Sequence, residues 1–233
     1  MSGKGLKVLS AGAVKRGVSQ IAAEFERATG TRVTVDFATG PEVRKRVAAG
    51  EAADVIVVPP AIMDEFAKQG KLVADSRAFV GRSRMGVVIH ADAPTPGLGD
   101  TAAFKKLLLA ATAVVYNLAS SGLYAAKLME KLGLAQALGS RIIVVETGAA
   151  IMEYVAGHPP AAIGLAQISE VMVLVDRGCP VKLAAPLPAE IQNVTSYDAA
   201  ADLSSAQQDA ARALVRALTS PTAKKIFAAT GIS

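Results

Sequence analysis

Five short loops hold the residue types that can surround an anion without a formal counter-charge. They are Ser10-Ala11-Gly12-Ala13, Ala38-Thr39-Gly40-Pro41, Ala119-Ser120-Ser121-Gly122, Glu146-Thr147-Gly148-Ala149 and Gln167-Ile168-Ser169-Glu170. Small residues let backbone N–H groups approach a ligand closely, hydroxyls add donors, and a helix N-terminus favours negative charge. Neutral donors suit an ionised oxyanion, because they satisfy its lone pairs without burying a lysine. None of the five turns contains Lys or Arg. Taken singly, each loop reads as an ordinary helix cap. As a set on one sheet edge, they point to a site. The first, within SAGAVKRG, is neither a dinucleotide fingerprint nor a Walker loop: Gly12 and Gly17 do not make G-x-G-x-x-G, and no Gly-Lys-Ser/Thr follows.

The elements that must position these loops alternate short apolar runs with longer amphipathic ones. LKVLSA, RVTVDFA (32–38) and ADVIVVPP (53–60) read as strands. Helices over 17–29, over 42–49 and over AIMDEFAKQG separate and follow them, closed by Gly30, Gly50 and Gly70. MGVVIH, TAVVYN (112–117), RIIVVETG (141–148), AAIGLAQISEV (161–171) and PVKLAAPLP supply further strands. Helices follow at FKKLLLAAT, LYAAKLMEKLG and AAIMEYVAG, and the C-terminal pair SSAQQDAARALVRALT and SPTAKKIFAATG closes the chain. Ser204 or Ser205 is the expected N-cap of the first of that pair. Strand–helix alternation implies mostly parallel sheets with right-handed crossovers, and ligands in such sheets sit beyond the carboxyl ends of the strands. The expected fold is α/β and two-lobed, with helices on both faces of each sheet and a ligand cleft between the lobes. Lobe I takes 1–84 and 193–233, lobe II takes 85–192, and a two-segment hinge falls near 82–86 and 193–198.

Composition narrows the class. The chain of 233 residues is 52% hydrophobic, 19% charged and 4% aromatic, with no Trp and a net charge of +5. Disorder is excluded by that apolar content. Lys and Arg are scattered in twos and threes without an aromatic-basic RNA motif or zinc-finger spacing, so no nucleic-acid partner is expected. The single Cys179 rules out an intramolecular disulfide and a cysteine metal cluster. No apolar run is long enough to span a membrane. The start, MSGKGLKVLSAGAV, lacks an apolar core and a cleavage site, so the sequence as written is expected in the cytoplasm, or in the periplasm if a native leader was removed.

The order and spacing of several stretches resemble the molybdate-binding-like solute receptors of ABC transporters, a branch of the type II periplasmic binding fold. They are VLSAGAV, VTVDFATGPEVRKRVAAGEAADVIVVPP, SSGLYAAKLMEKLG, IGLAQISEV and SPTAKKIFAATGIS, which span essentially the whole chain. The resemblance implies a solute-binding protein that clamps a small anion, a molybdate-like oxyanion or an organic carboxylate, with Ser10, Gly12, Ala13, Thr39, Gly40, Ser120, Ser121, Gly148 and Gln167 as ligand contacts. The family's molybdate receptors use a serine where Ala13 stands, a serine where Gly40 stands, backbone N–H groups matched by Ser121 and Gly148, and a tyrosine where Gln167 stands. Two hydroxyls and a phenol are therefore absent, which puts molybdate itself in question. Lys15, Arg16 and Arg44 are close enough in sequence to the first two loops to serve as rim cations for a larger carboxylate; as plain helix-face residues they would be solvated.

The SAGAV and LAQISE loops resemble a subgroup some of whose relatives are similar to aconitate isomerase, an enzyme on the same fold that moves a proton on a tricarboxylate. On that alternative Glu146 or Glu170 is the candidate general base; otherwise no catalytic residue is expected, and binding is the preferred reading. A ligand-sensing domain of a LysR-type regulator shares the fold, but no helix-turn-helix precedes residue 6. His90 and His158 have no third ligand nearby, so neither a metal nor a cofactor is expected. Cys179 has no paired base, and Tyr124 reads equally as a cleft residue or a packing residue. The expected partners are the small anion and, in a periplasmic setting, an ABC permease, with the protein a monomer. Ser121 is expected to be an accessible loop position, where substitution by Leu blocks binding at a stability cost of about 0.5 kcal/mol or less.

Overall fold

The computed structural model describes residues 5–233. These form two compact units: the first runs up to Arg82 and resumes over Ser196–Ser233, and the second is Ser83–Thr195. Two strands, β4 (Ala78–His90) and β9 (Val194–Ala201), have residues in both units.

In the first unit the sheet order is β2-β1-β3-β9, with β1 (Leu6–Ala11), β2 (Val33–Ala38) and β3 (Val55–Val58) parallel and β9 antiparallel to β3. Side chains alternate across a strand, so each strand feeds two cores. Val8, Val55, Val57, Ala199 and Ala201 pack in one cluster. Their sequence neighbours Leu9, Ile56, Val58 and Ala200 pack in another on the opposite face. The first cluster is covered by α1 (Lys15–Thr29), α9 (Gln208–Leu218) and α10 (Pro221–Ala229), and the second by α2 (Gly40–Ala48) and α3 (Pro60–Lys68). β9 was expected only as a crossing strand of the hinge over 193–198 and not as a member of the sheet, because VTSYDAAA shows no apolar alternation. Its three fully buried alanines are small enough to lie between helices on both faces of the sheet.

The second unit repeats the principle with sheet order β8-β4-β7-β5-β6. β5 (Ala113–Asn117) pairs in parallel with β6 (Ile142–Val145) and β7 (Ala162–Gln167), while β4 runs antiparallel to β7 and to β8 (Val181–Pro186). Val87, Ile89, Val114, Ile163 and Leu165 join one core, beneath α4 (Thr101–Ala110), α5 (Ser120–Lys131) and α6 (Leu134–Leu138). Val88, Val115, Ala162 and Ala166 join the other, beneath α7 (Gly148–Gly157) and α8 (Ile168–Asp176).

Helix boundaries follow local chemistry. Ser220 caps α10 by accepting from the Ala223 N–H, and Pro221 follows at the first helical position. Asp100 caps α4 in the same way. Ser204 and Ser205 do not cap α9, which begins after Gln207 with no side-chain cap. Their hydroxyls are drawn elsewhere by tertiary partners, Ser204 to Asp202 and Ser205 to Asp54. The first helix also starts earlier than its apolar period suggested, at Lys15, after one 3-10 turn over Gly12–Val14.

Close approach of α1 to α10 depends on Gly17, since a Cβ there would overlap the buried ring of Phe227. Gly17→Ala is expected to lower stability by about 1–3 kcal/mol, as overpacking does in cores. Adding Phe227→Leu should recover part of that loss, and chemical denaturation of the single and double variants measures both effects.

Candidate functional site

The five loops follow β1, β2, β5, β6 and β7, each at a strand's carboxyl end and each opening a helix. The structure sorts their hydroxyls into two groups. Thr39 and Thr147 are caps: their Oγ1 atoms accept from Glu42 N at 3.3 Å and Ala150 N at 3.2 Å. The turns that open α5 and α8, and the 3-10 turn that leads into α1, have no side-chain cap. These three starts keep backbone N–H groups that no side chain of the cap residue satisfies. The cap reading thus accounts for the second and fourth loops and fails for the first, third and fifth.

In the first unit, Ser10 is fully buried and its Oγ donates to the carbonyl of Ala11 at 3.1 Å. Gly12 is half-buried, and Ala13 and Gly40 are buried. Lys15 stands 5.2 Å from the centroid of the Phe37 ring in a cation–π contact. Arg44 is exposed and pairs with Glu65 of α3 at 3.7 Å, and Arg16 is exposed on α1.

In the second unit three neighbouring parallel strand ends bring the remaining loops side by side, β5 between β6 and β7. Asn117 ends β5, is buried, and accepts from Ala119 N at 3.1 Å through Oδ1, while its Nδ2 has no partner. Ser120 is exposed at the first position of α5. Ser121 is 2% exposed with its Oγ 3.5 Å from Asn117 Oδ1. This corrects the expectation of an accessible Ser121: the first turn of α5 folds back over the end of β5, and Leu there would have to displace packed atoms. Gln167 ends β7, is buried, and donates from Nε2 to Thr195 Oγ1 at 3.0 Å, which leaves Oε1 without a partner.

Glu170 is half-buried as a residue, yet its Oε2 has neither exposed surface nor partner. Burial pushes its carboxyl up to about 7. The carboxylate lies against the first residue of α7, where a Cβ on Gly148 would overlap it. Its neighbour Ser169 shares a buried hydrogen bond with Ser83, Oγ to Oγ at 3.2 Å. Glu146, the other candidate base, is exposed. Asn117 and Ser83 were not singled out by sequence, and Ser169 only as part of the fifth loop; an Asn closing the apolar run AVVYN was the available signal for the first.

The remaining candidates lie outside this cluster. Tyr124 donates to the carbonyl of Ile191 at 3.0 Å and packs against the core of its unit, which settles it as a packing residue. His158 is exposed at the end of α7, stacked on Tyr154 with ring centroids 4.0 Å apart. Burial, and then the charge of Glu153, raise the Cys179 thiol, the reverse of what a nucleophilic thiolate needs. Among the described residues, no group of three or more His, Cys, Asp or Glu side chains is placed to hold a metal ion. No described helix is long and apolar enough to cross a membrane.

The pattern of the bacterial extracellular solute-binding protein family matches residues 6–233. The chain belongs to that family. The solute-binding family and the α/β fold expected from the SAGAV, FATGPEV and IGLAQISEV stretches therefore hold. Among solved structures, the chain is similar to the periplasmic molybdate-binding protein of Azotobacter vinelandii, with 21% identity, a TM-score of 0.79 and 98% of each chain covered. It is also similar to the sulfate-binding protein of Mycobacterium tuberculosis, with 17% identity, a TM-score of 0.78, and 99% of this chain and 86% of that one covered. Among characterised proteins it is 28% identical to an aconitate isomerase from Pseudomonas sp, over 97% of this chain and 87% of the enzyme.

The folded state holds a proton on Glu170 more tightly than the unfolded chain does, so this group's contribution favours folding at low pH and is lost as pH rises through about 7. Between pH 4 and 8 the loss is on the order of 3 kcal/mol. Glu170→Gln should flatten that slope, which denaturant titrations at pH 5 and pH 8 measure.

Proposed function

We propose that the protein captures a small anion at the helix starts of the five loops, above all at the three that no side chain caps. The observation that carries this reading is a buried donor without a partner beside those starts, Asn117 Nδ2 at the end of β5; Gln167 Oε1 at the end of β7 is an unpartnered acceptor left for a hydroxyl or protonated group of the ligand. Buried polar atoms without partners are uncommon and costly, so a cluster of them marks a place where a ligand completes the hydrogen bonding. Gly148, Ser120, Ser121 and Gln167 are the proposed contacts in the second unit. Ser10, Gly12, Ala13, Thr39 and Gly40 are the proposed contacts in the first, with Lys15, Arg16 and Arg44 at the rim. The hinge at 82–86 and 193–198 belongs to the same proposal. The oxyanion ligands in the names of the molybdate and sulfate receptors support the anion class. Family membership supports an extracellular or periplasmic receptor role with an ABC permease as partner.

A second reading rests on one observation, Glu170. A buried carboxyl held near 7 has the acidity of a general base working at neutral pH, and the aconitate isomerase relative supports a carbon acid as its substrate. Incubation with cis- or trans-aconitate in heavy water decides this reading. Isomer and solvent deuterium in the product are expected if it is right; the absence of both removes it for that substrate.

For the binding reading, a thermal-shift panel of sulfate, molybdate, and di- and tricarboxylates should contain at least one stabilising anion. At a hundred times its Kd, that anion adds about 2.7 kcal/mol. No shift across the panel sinks the proposal. Ser120→Asp places a negative charge at the exposed start of α5, which favours the helix by roughly 0.3–1 kcal/mol. It should hold or raise the melting temperature while weakening the anion at least tenfold. Unchanged affinity would take the third loop out of the site.

A further inference from the structure

We propose that Glu170 makes this site select anions that carry their own O–H donor, hydroxy-carboxylates above all, over anions that are fully ionised. The inference rests on the anion-binding reading above, with Gly148 as a contact.

The argument starts from placement. α7 is ten residues long, and its first residue, Gly148, has the Glu170 carboxylate where a side chain would be. An anion that takes a hydrogen bond from the start of α7 therefore lies beside that carboxylate. Thr147 already satisfies the Ala150 N–H, so the N–H groups left for a ligand at this helix start are those nearest Glu170. Glu170 Oε2 has no partner and no exposed surface, and Gln167, three residues earlier and 2% exposed, leaves a second acceptor, Oε1, without a partner. An acceptor beside the start of α7 matches a ligand with both an anionic group and a hydroxyl, and Gln167 Oε1 is a second unpartnered acceptor at the start of α8. The anionic group takes the helix N–H groups and the hydroxyl donates to the carboxylate. An ionised anion with no hydrogen to donate brings only like charge against Glu170, and in a buried setting that repulsion is poorly screened.

The same geometry sets a pH dependence. Elements packed against α8 are β7, β8 and α7, with β4 joined to it through Ser83 and Ser169. Their ionisable residues are Lys182 on β8, Glu153 and Tyr154 on α7, and Arg82, Arg84 and His90 on β4, with Asp176 on α8 itself; β7 has none. Burial alone accounts for the displacement of the Glu170 carboxyl, and none of these groups contributes to it. Below about pH 7 the protonated carboxyl becomes a donor and accepts a fully ionised neighbour; above it, the carboxylate rejects one.

Matched pairs that differ by one hydroxyl test this on the whole protein: malate against succinate, and citrate against tricarballylate, with sulfate as the ion that has no donor. Calorimetric titration at pH 8 should show the hydroxy acid at least tenfold tighter in whichever pair binds. Sulfate should lose affinity severalfold, approaching about tenfold, between pH 6 and pH 8. Glu170→Gln, which removes the charge, should bind sulfate about tenfold more tightly than the parent at pH 8 and lose the pH dependence. If that variant does not fold, the hydroxyl pairs and the pH series on the parent protein still decide. Binding that ignores both the hydroxyl and pH overturns the role of Glu170 and leaves anion capture standing. No binding of any of the five anions at either pH overturns both.

Discussion

Burial of both faces of each sheet is the constraint on which the rest of the structure depends. In each unit consecutive strand residues such as Val8 and Leu9, or Val87 and Val88, enter separate cores on opposite sides. With helices over both faces, a ligand can reach the backbone only at the strand ends. The connections there are short and run directly into helices, so what the strand ends present is N–H groups at helix starts. The chemistry of the site follows from the packing of the sheets.

Within that arrangement, local capping decides which helix starts are open. Thr39 and Thr147 each take one N–H of the helix start they precede with their own oxygens. Small residues without a reaching oxygen, Ala11 and Ala119, precede two of the open ones, and Gln167 precedes the third, with its amide turned to Thr195. A loop rich in Ser and Thr is therefore no measure of how many donors await a ligand. The open starts are those where the hydroxyl is absent from the cap position or committed elsewhere.

Glu170 sits where two demands meet. The start of α7 favours a negative charge, and burial opposes it. Gly148 makes the meeting possible, because any side chain at that position would occupy the space of the carboxylate. The outcome is a carboxyl near the neutral range with an unpartnered oxygen, at the carboxyl end of the sheet. A carboxyl so placed has the chemistry for discrimination in a receptor or for proton transfer in an isomerase.

Much of the fold was legible in the residues themselves. Continuous apolar runs such as VIVV, with Gly or Pro at their ends, are what a strand buried on both faces requires, and Thr39-Gly40-Pro41 and Ser220-Pro221 mark helix starts through local hydrogen bonding and a fixed φ. The family was legible too, because the order of its small-residue loops is written along the chain. The place of β9 in the sheet was not, since VTSYDAAA joins it only through its pairing with β3, and neither was the failure of Ser204 and Ser205 to cap α9, which Asp202 and Asp54 decide from elsewhere in the sequence. The burial of Ser121, the unpartnered Asn117 Nδ2, and the seat of Glu170 against Gly148 are likewise tertiary facts. Sequence alone determined which loops could hold an anion, because backbone freedom and donor chemistry are properties of the residue. Which donors stay open, and which carboxylate stands beside them, only the tertiary structure decided, because both depend on partners that folding brings together.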